Sequence, residues 1–196
     1  MSTENHKRPY RKRRRAEAEE ATRERIAAAA AELHEELGPA RTSVSAVAER
    51  AGVQRGTVYR HFPDEDALFQ ACSAHWNARN VPPDPTPWSA IADPDRRLRA
   101  GLLEIYAWYH QVEPMMEKLV RDAPLVPAVA HQMATIATPY FEFVAGVLLE
   151  GRSGRKRTRA AIGHALAFET WRSLERTQGL SRKQATELMA ELVAVA

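Results

Sequence analysis

The sequence predicts an all-α protein, a small N-terminal helical domain joined to a larger C-terminal one. Three observations predict it. Apolar residues recur at helical spacing through most of the chain, and no stretch alternates as a half-buried strand would. Alanine, leucine, glutamate and arginine dominate the composition, and all four favour helix. Five prolines gather within residues 81–95, where no helix survives, and they divide the 196 residues in two.

The elements follow in order. Residues 1–15 hold seven lysines and arginines against one acid, Glu4. They lack helical periodicity and read as a disordered basic arm, whereas the remainder carries 21 basic against 24 acidic residues. A charged helix begins within Ala16–Thr22, with Ile26, Ala30, Leu33 and Leu37 as one apolar stripe, and Gly38-Pro39 ends it. Thr42-Ser43 offers an N-cap to a second helix over Val44–Ala51, with Val44, Val47 and Ala48 on one face. Gly52 makes the turn and Val53 plugs it. A short third helix runs from Arg55 to His61, broken by Phe62-Pro63. Asp64, Glu65 and Asp66 open a fourth, where acids suit the helix dipole, and Leu68 and Cys72 mark its inner face. The expected domains are therefore 1–15, 16–80 and 81–196. Beyond the prolines, helices are expected over 94–111, 114–121, 124–149, 155–178 and 181–195, with Pro139 kinking or splitting the third.

The composition also excludes. Cys72 is the single cysteine, so it forms no internal disulfide and no zinc site by itself. It reads as a small buried apolar residue in a reducing, cytoplasmic setting. No apolar run approaches the roughly 20 residues of a membrane span, and no apolar segment follows the basic N-terminus as in a secretion signal. The histidines are scattered, and neither metal-type histidine pairs nor a Gly-x-Ser-x-Gly nucleophile motif occurs. No enzyme activity, cofactor or metal is expected.

The informative segment runs from Thr42 to Phe62. Two short helices joined by a glycine turn form a helix-turn-helix, Ser43 to Phe62, whose second helix fits a DNA major groove. Val44, Val47, Ala48, Val53 and Val58 would hold the pair together. Gln54, Arg55, Thr57, Tyr59, Arg60 and His61 would then be exposed donors for phosphates and base edges, and Gly56 would let the backbone come close. On spacing alone, Tyr59 also suits a core position and His61 a helix cap. The basic arm, with Arg11, Lys12, Arg13, Arg14 and Arg15, suits nucleic-acid phosphates.

The pattern Val-x-x-Val-Ala-x-x-Ala-Gly-Val, then Gly-x-x-Tyr-x-His-Phe, then Leu68, resembles the DNA-binding domain of the tetracycline-repressor (TetR) family over residues 22–76. The resemblance implies a dimer whose small N-terminal domain binds operator DNA and whose larger domain binds a small-molecule effector and dimerises. It implies phosphate contacts at Thr42, Ser43, Tyr59 and His61, and positions near base edges at Gln54, Arg55 and Thr57. The family often has a phosphate-contacting lysine at the start of helix four, where this chain has Glu65. The basic arm is expected to compensate, reaching phosphates or the adjacent minor groove.

In the C-terminal domain, Tyr106, Trp108, Tyr109, His110 and Met115 could line an effector pocket, with His131, Phe141, Phe168 and Trp171 from later helices. The same residues suit an ordinary helical core. Such a lining fits a mostly apolar or aromatic effector. The last two helices resemble the family's dimerisation pair, with stripes Ala161, Ala165, Phe168, Trp171 or Arg172 and Leu174 or Glu175 on the first, and Ala185, Leu188, Met189, Leu192 and Val193 on the second. The expected function is a repressor that binds a palindromic operator as a homodimer and is released by its effector. The alternative is a ligand-independent DNA-binding autoregulator or an activator.

Overall fold

The computed structural model describes residues 7–152 and 154–196, all helices and connections. They form two compact units. One comprises residues up to Val81 together with Lys118–Ala128; the other comprises Pro82–Glu117 and Val129–Ala196.

The first unit starts with α1, Lys7–Glu36. It begins earlier than the sequence suggests, so Lys7–Arg15 are helical, while residues 1–6 of the expected arm lie outside the described residues. Pro9 stands in the first turn, where its missing N–H costs nothing. Arg13 and Arg15 pair with Glu17 and Glu19 one turn on, at 2.8 and 3.2 Å, which supports the extension. Ile26, Ala30 and Leu33 are buried as expected, but Leu37 is 41% exposed, because the helix ends at Glu36. A 3₁₀ turn, Pro39–Arg41, leads into α2, Val44–Arg50, then α3, Arg55–His61, and α4, Glu65–Asn77. Val47, Ala48, Val58, Phe62, Leu68, Phe69 and Cys72 complete the core against α1. Burying each large apolar side chain contributes about 1.5–3 kcal/mol. Burial pushes the Cys72 thiol up to about 12, so it stays protonated.

The second unit is organised on α5, Pro94–Asp122, whose Leu98, Leu102, Ile105, Tyr106, Tyr109, Val112 and Met115 are buried. Pro114 does not split this helix. Its missing donor would have met the His110 carbonyl, and both residues are exposed, so water can serve that carbonyl. Then come α6, Pro127–Gln132, a π-helical turn at Met133–Ala137, and α7, Thr138–Leu149. The irregular turn falls just before Pro139, and the Thr138 hydroxyl donates to the Met133 carbonyl at 3.1 Å. Contrary to the sequence expectation, the 23 residues Pro127–Leu149 are long and apolar enough by length and composition to cross a membrane. They carry a single charged side chain, Glu142, which is what lifts their hydropathy. Core helices of soluble proteins pass the same test, although little of this stretch is buried in the single chain.

The last helices also differ from expectation. In place of one helix over 155–178 there are α8, Lys156–Leu166, and α9, Phe168–Arg172, followed by a π-helical turn, Ser173–Thr177. Extended backbone at Ala167, φ −69° and ψ 135°, separates them. The Tyr106 and Tyr109 hydroxyls donate to the Ala165 and Leu166 carbonyls at 2.8 and 2.6 Å, occupying acceptors that the break leaves open. The final helix, α10, Arg182–Ala194, opens on a capping box between Ser181 and Gln184. Trp88, 2% exposed, brings the proline-rich segment into this core, against Gly101.

Candidate nucleic-acid interface

The helix-turn-helix is built from local signals. The Ser43 side chain accepts from the Ala46 N–H and caps α2. Gly52, at φ 65°, makes the turn in a conformation that other residues adopt at a cost of about 1 kcal/mol or more. Val53 then donates back to the Ala48 carbonyl at 2.9 Å. Val47, Ala48 and Val58 are buried between α2 and α3, while Val44 and Val53 are half-buried.

Two arginines of α1 finish the motif. Arg25 Nε donates to the Ala51 carbonyl at 3.0 Å, at the end of α2. Arg23 Nη1 donates to the His61 carbonyl at 2.9 Å, at the end of α3, and its guanidinium lies over the Phe62 ring. Cations at helix C-termini satisfy open carbonyls and complement the dipole. Sequence reasoning missed both roles, since nothing in the spacing of α1 links those arginines to helices 26 and 38 residues away.

The outer face of α3 carries Gln54, Arg55, Gly56, Tyr59 and Arg60, all exposed, with Thr57 and His61 half-buried and no acidic residue in the helix. Tyr59 is 39% exposed, so it is not a core tyrosine. Arg55 Nη2 donates to the Tyr59 hydroxyl at 3.2 Å, and its guanidinium lies 5.5 Å from the ring centre. The two form one donor-rich unit. Ser43 is exposed at the start of α2, while the Thr42 hydroxyl donates to the Gly38 carbonyl at 2.9 Å. Glu65 is exposed at the start of α4, which Asp64 caps by accepting from the Ala67 N–H at 2.7 Å. Along α1, Arg11, Lys12, Arg13, Arg14 and Arg15 are exposed on helix rather than on an irregular arm.

The candidate effector residues of the second unit divide. Tyr109 stands at the centre of a ring cluster, its centroid 6.1 Å from Phe141, 5.3 Å from Phe168 and 5.7 Å from Trp171. Tyr106 and Met115 are buried and Trp108 is half-buried, its ring 5.4 Å from Tyr109. His110 and His131 are exposed and stand outside the cluster. His110 meets Arg176 at 2.7 Å, and Arg176 also pairs with Glu113. Burial pushes the Tyr106 and Tyr109 hydroxyls well above the usual tyrosine range, so they act as neutral donors.

The stripes read as dimer contacts are mostly intramolecular. Ala165, Phe168, Trp171, Ala185, Met189 and Val193 are buried within the chain. Helical spacing identified a packed face without saying what packs on it. The exposed apolar and small residues of these helices are Ala160 and Gly163 on α8 and Leu188, Leu192 and Ala194 on α10.

Comparison with known proteins places this geometry. The sequence profile described as bacterial regulatory proteins, tetR family, matches residues 26–72, the span from α1 into α4. Among solved structures, a TetR-like transcriptional regulator from Rhodococcus sp. RHA1 is similar at 21% identity and TM-score 0.61, over 88% of this chain and 93% of that one. NalD, the secondary repressor of the MexAB-OprM multidrug efflux pump in Pseudomonas aeruginosa, is similar at 23% identity and TM-score 0.60, over 91% and 96%. The multidrug binding protein EbrR, solved with imidazole, is 26% identical at TM-score 0.58, over 87% and 93%. No curated protein matches the sequence significantly.

Proposed function

We propose that this chain, whose residues 26–72 match the tetR family of bacterial regulatory proteins, is a transcriptional repressor of that family, released from a palindromic operator by a small apolar or aromatic effector. One observation carries the reading. The outer face of α3 presents Gln54, Arg55, Tyr59 and Arg60 without a carboxylate, on a helix capped by Arg23. Arginine and glutamine suit base edges in the major groove, and Ser43, Thr57 and His61 suit phosphates. Thr42 and Gly56 support the same approach of the backbone. The basic residues Arg11–Arg15 add phosphate contacts beside the groove.

Reading two half-sites about 34 Å apart requires a dimer. The exposed face of α8 and α10, Ala160, Gly163, Leu188 and Leu192, is the proposed contact, forming a four-helix arrangement with a second copy. The cluster of Tyr109, Phe141, Phe168 and Trp171, with Tyr106 and Met115, is the proposed effector region. Two similar structures are a repressor of a multidrug efflux pump and a multidrug-binding protein, which agrees with an apolar effector.

The test is a gel-shift titration on the DNA upstream of the protein's own gene. Wild type should retard it, and Arg60→Ala should weaken retardation at least tenfold. Absence of retardation by wild type would count against the reading. The close packing of the aromatic rings favours a second reading, a ligand-independent autoregulator. Loss of retardation on adding apolar aromatic compounds would exclude it.

A further inference from the structure

The end of α5 carries it. This helix begins in the second unit, but its last turn belongs to the first, within Lys118–Ala128. Asp122 is 1% exposed, and no other aspartate or glutamate among the described residues is as buried. Its Oδ2 accepts from the Ala40 N–H at 3.0 Å, in the 3₁₀ turn between α1 and α2. Arg121 grips the same carboxylate, Nε to Oδ1 at 2.6 Å and Nη2 to Oδ2 at 3.0 Å. The same Nη2 also donates to the Leu37 carbonyl at 2.8 Å, at the end of α1. Charge-assisted bonds of this kind are about twice as strong as neutral ones.

Gly38 lies within this clasp. Its φ is 95°, and a Cβ added there would run into the Arg121 guanidinium and the Asp122 carboxylate. Glycine is thus required at position 38 on two grounds, the positive φ of the chain there and the space left by a dipeptide more than 80 residues away in sequence. The Thr42 hydroxyl bonds the Gly38 carbonyl, and Ser43 caps α2 immediately after. The clasp, the turn and the start of the DNA-facing motif are contiguous.

We infer that Arg121 and Asp122 are positioning residues for DNA binding: they fix the turn that sets the start of α2. Neither residue is assigned a contact with DNA. The inference rests on the DNA-binding reading only for its affinity arm.

Hydrogen exchange and DNA binding of the full chain test it, using Arg121→Gln, Asp122→Asn and Asp122→Ala. In Arg121→Gln, exchange of peptides covering residues 37–43 should rise at least fivefold, while peptides from α8 and α10 keep wild-type rates. Affinity for the protein's own upstream DNA should fall at least fivefold with an unchanged salt slope, because every phosphate contact remains in place. Asp122→Asn keeps an acceptor for Ala40 and should restore part of the protection that Asp122→Ala removes. Wild-type exchange and affinity in Arg121→Gln would overturn the inference. So would a salt slope reduced by about one, which would make Arg121 a phosphate contact. Should Asp122→Ala fail to fold, Arg121→Gln and Asp122→Asn decide. If wild type binds no DNA, the functional reading fails separately and exchange at 37–43 alone decides the clasp.

Discussion

Arg23 stands with its guanidinium 4.5 Å from the centre of the Phe62 ring, at the C-terminal end of the helix proposed to read DNA. The same group donates to the preceding carbonyl, that of His61. Arg23→Ala removes a cation–π interaction and a charged hydrogen bond together. A decrease of about 1–2 kcal/mol is expected in urea unfolding. Arg23→Lys should recover only part of it, since an ammonium cannot lie flat on the ring and reach the carbonyl at once.

His34 predicts the pH dependence. Its ring lies 5.7 Å from Phe69, and Nδ1 lies 3.5 Å from Cys72 Sγ. Burial holds the imidazole down to about 4 against its ordinary 6.5, with the Asp122 carboxylate pulling the other way. The unfolded chain therefore takes up a proton near pH 6.5 that the folded chain refuses until about 4. Stability is present above this window and declines as pH falls through it, by about 3 kcal/mol in all. Urea midpoints between pH 7 and 4 check this, and His34→Asn should flatten that limb. Asp122, held low mainly by Arg121, gives up its contribution only at still lower pH.

Tyr106→Phe and Tyr109→Phe each leave a buried carbonyl at the Ala167 break without its donor. About 1–2 kcal/mol is expected for each, with little change in the urea dependence, because the buried surface is nearly conserved. Equal stability of the double variant and wild type would show that the hydroxyls do not hold the break.

Deleting residues 1–15 tests the basic end of α1. Affinity for DNA should fall, and the logarithmic salt dependence should flatten by about 0.9 for each phosphate that is no longer neutralised. Affinity and slope equal to wild type would remove Arg11–Arg15 from the interface.

The helix-turn-helix was legible because each of its signals is local. Ser43 caps its own helix, Gly52 turns its own chain, and Asp64 caps the helix that follows it. The basic segment misled because its charge run obscured helix-forming residues that pair with Glu17 and Glu19. Pro114 misled because an exposed proline can stay inside a long helix when water takes the freed carbonyl. In the C-terminal half, Phe168, Trp171, Met189 and Val193 showed helical faces without showing which neighbour covers them. The aromatic residues were found, but their mutual packing depends on helices remote in sequence. The same holds for the clasp at Gly38, which reads locally only as a helix stop.

The two tyrosine hydroxyls at Ala167 have a consequence for the order of events on the ribosome. A separate peptide spanning 155–178 contains no proline and no glycine between Gly163 and its end, so nothing of its own would interrupt it. The donors that meet its open carbonyls belong to α5 and are synthesised 59 and 57 residues earlier. As the later segment emerges, its acceptors meet donors already made.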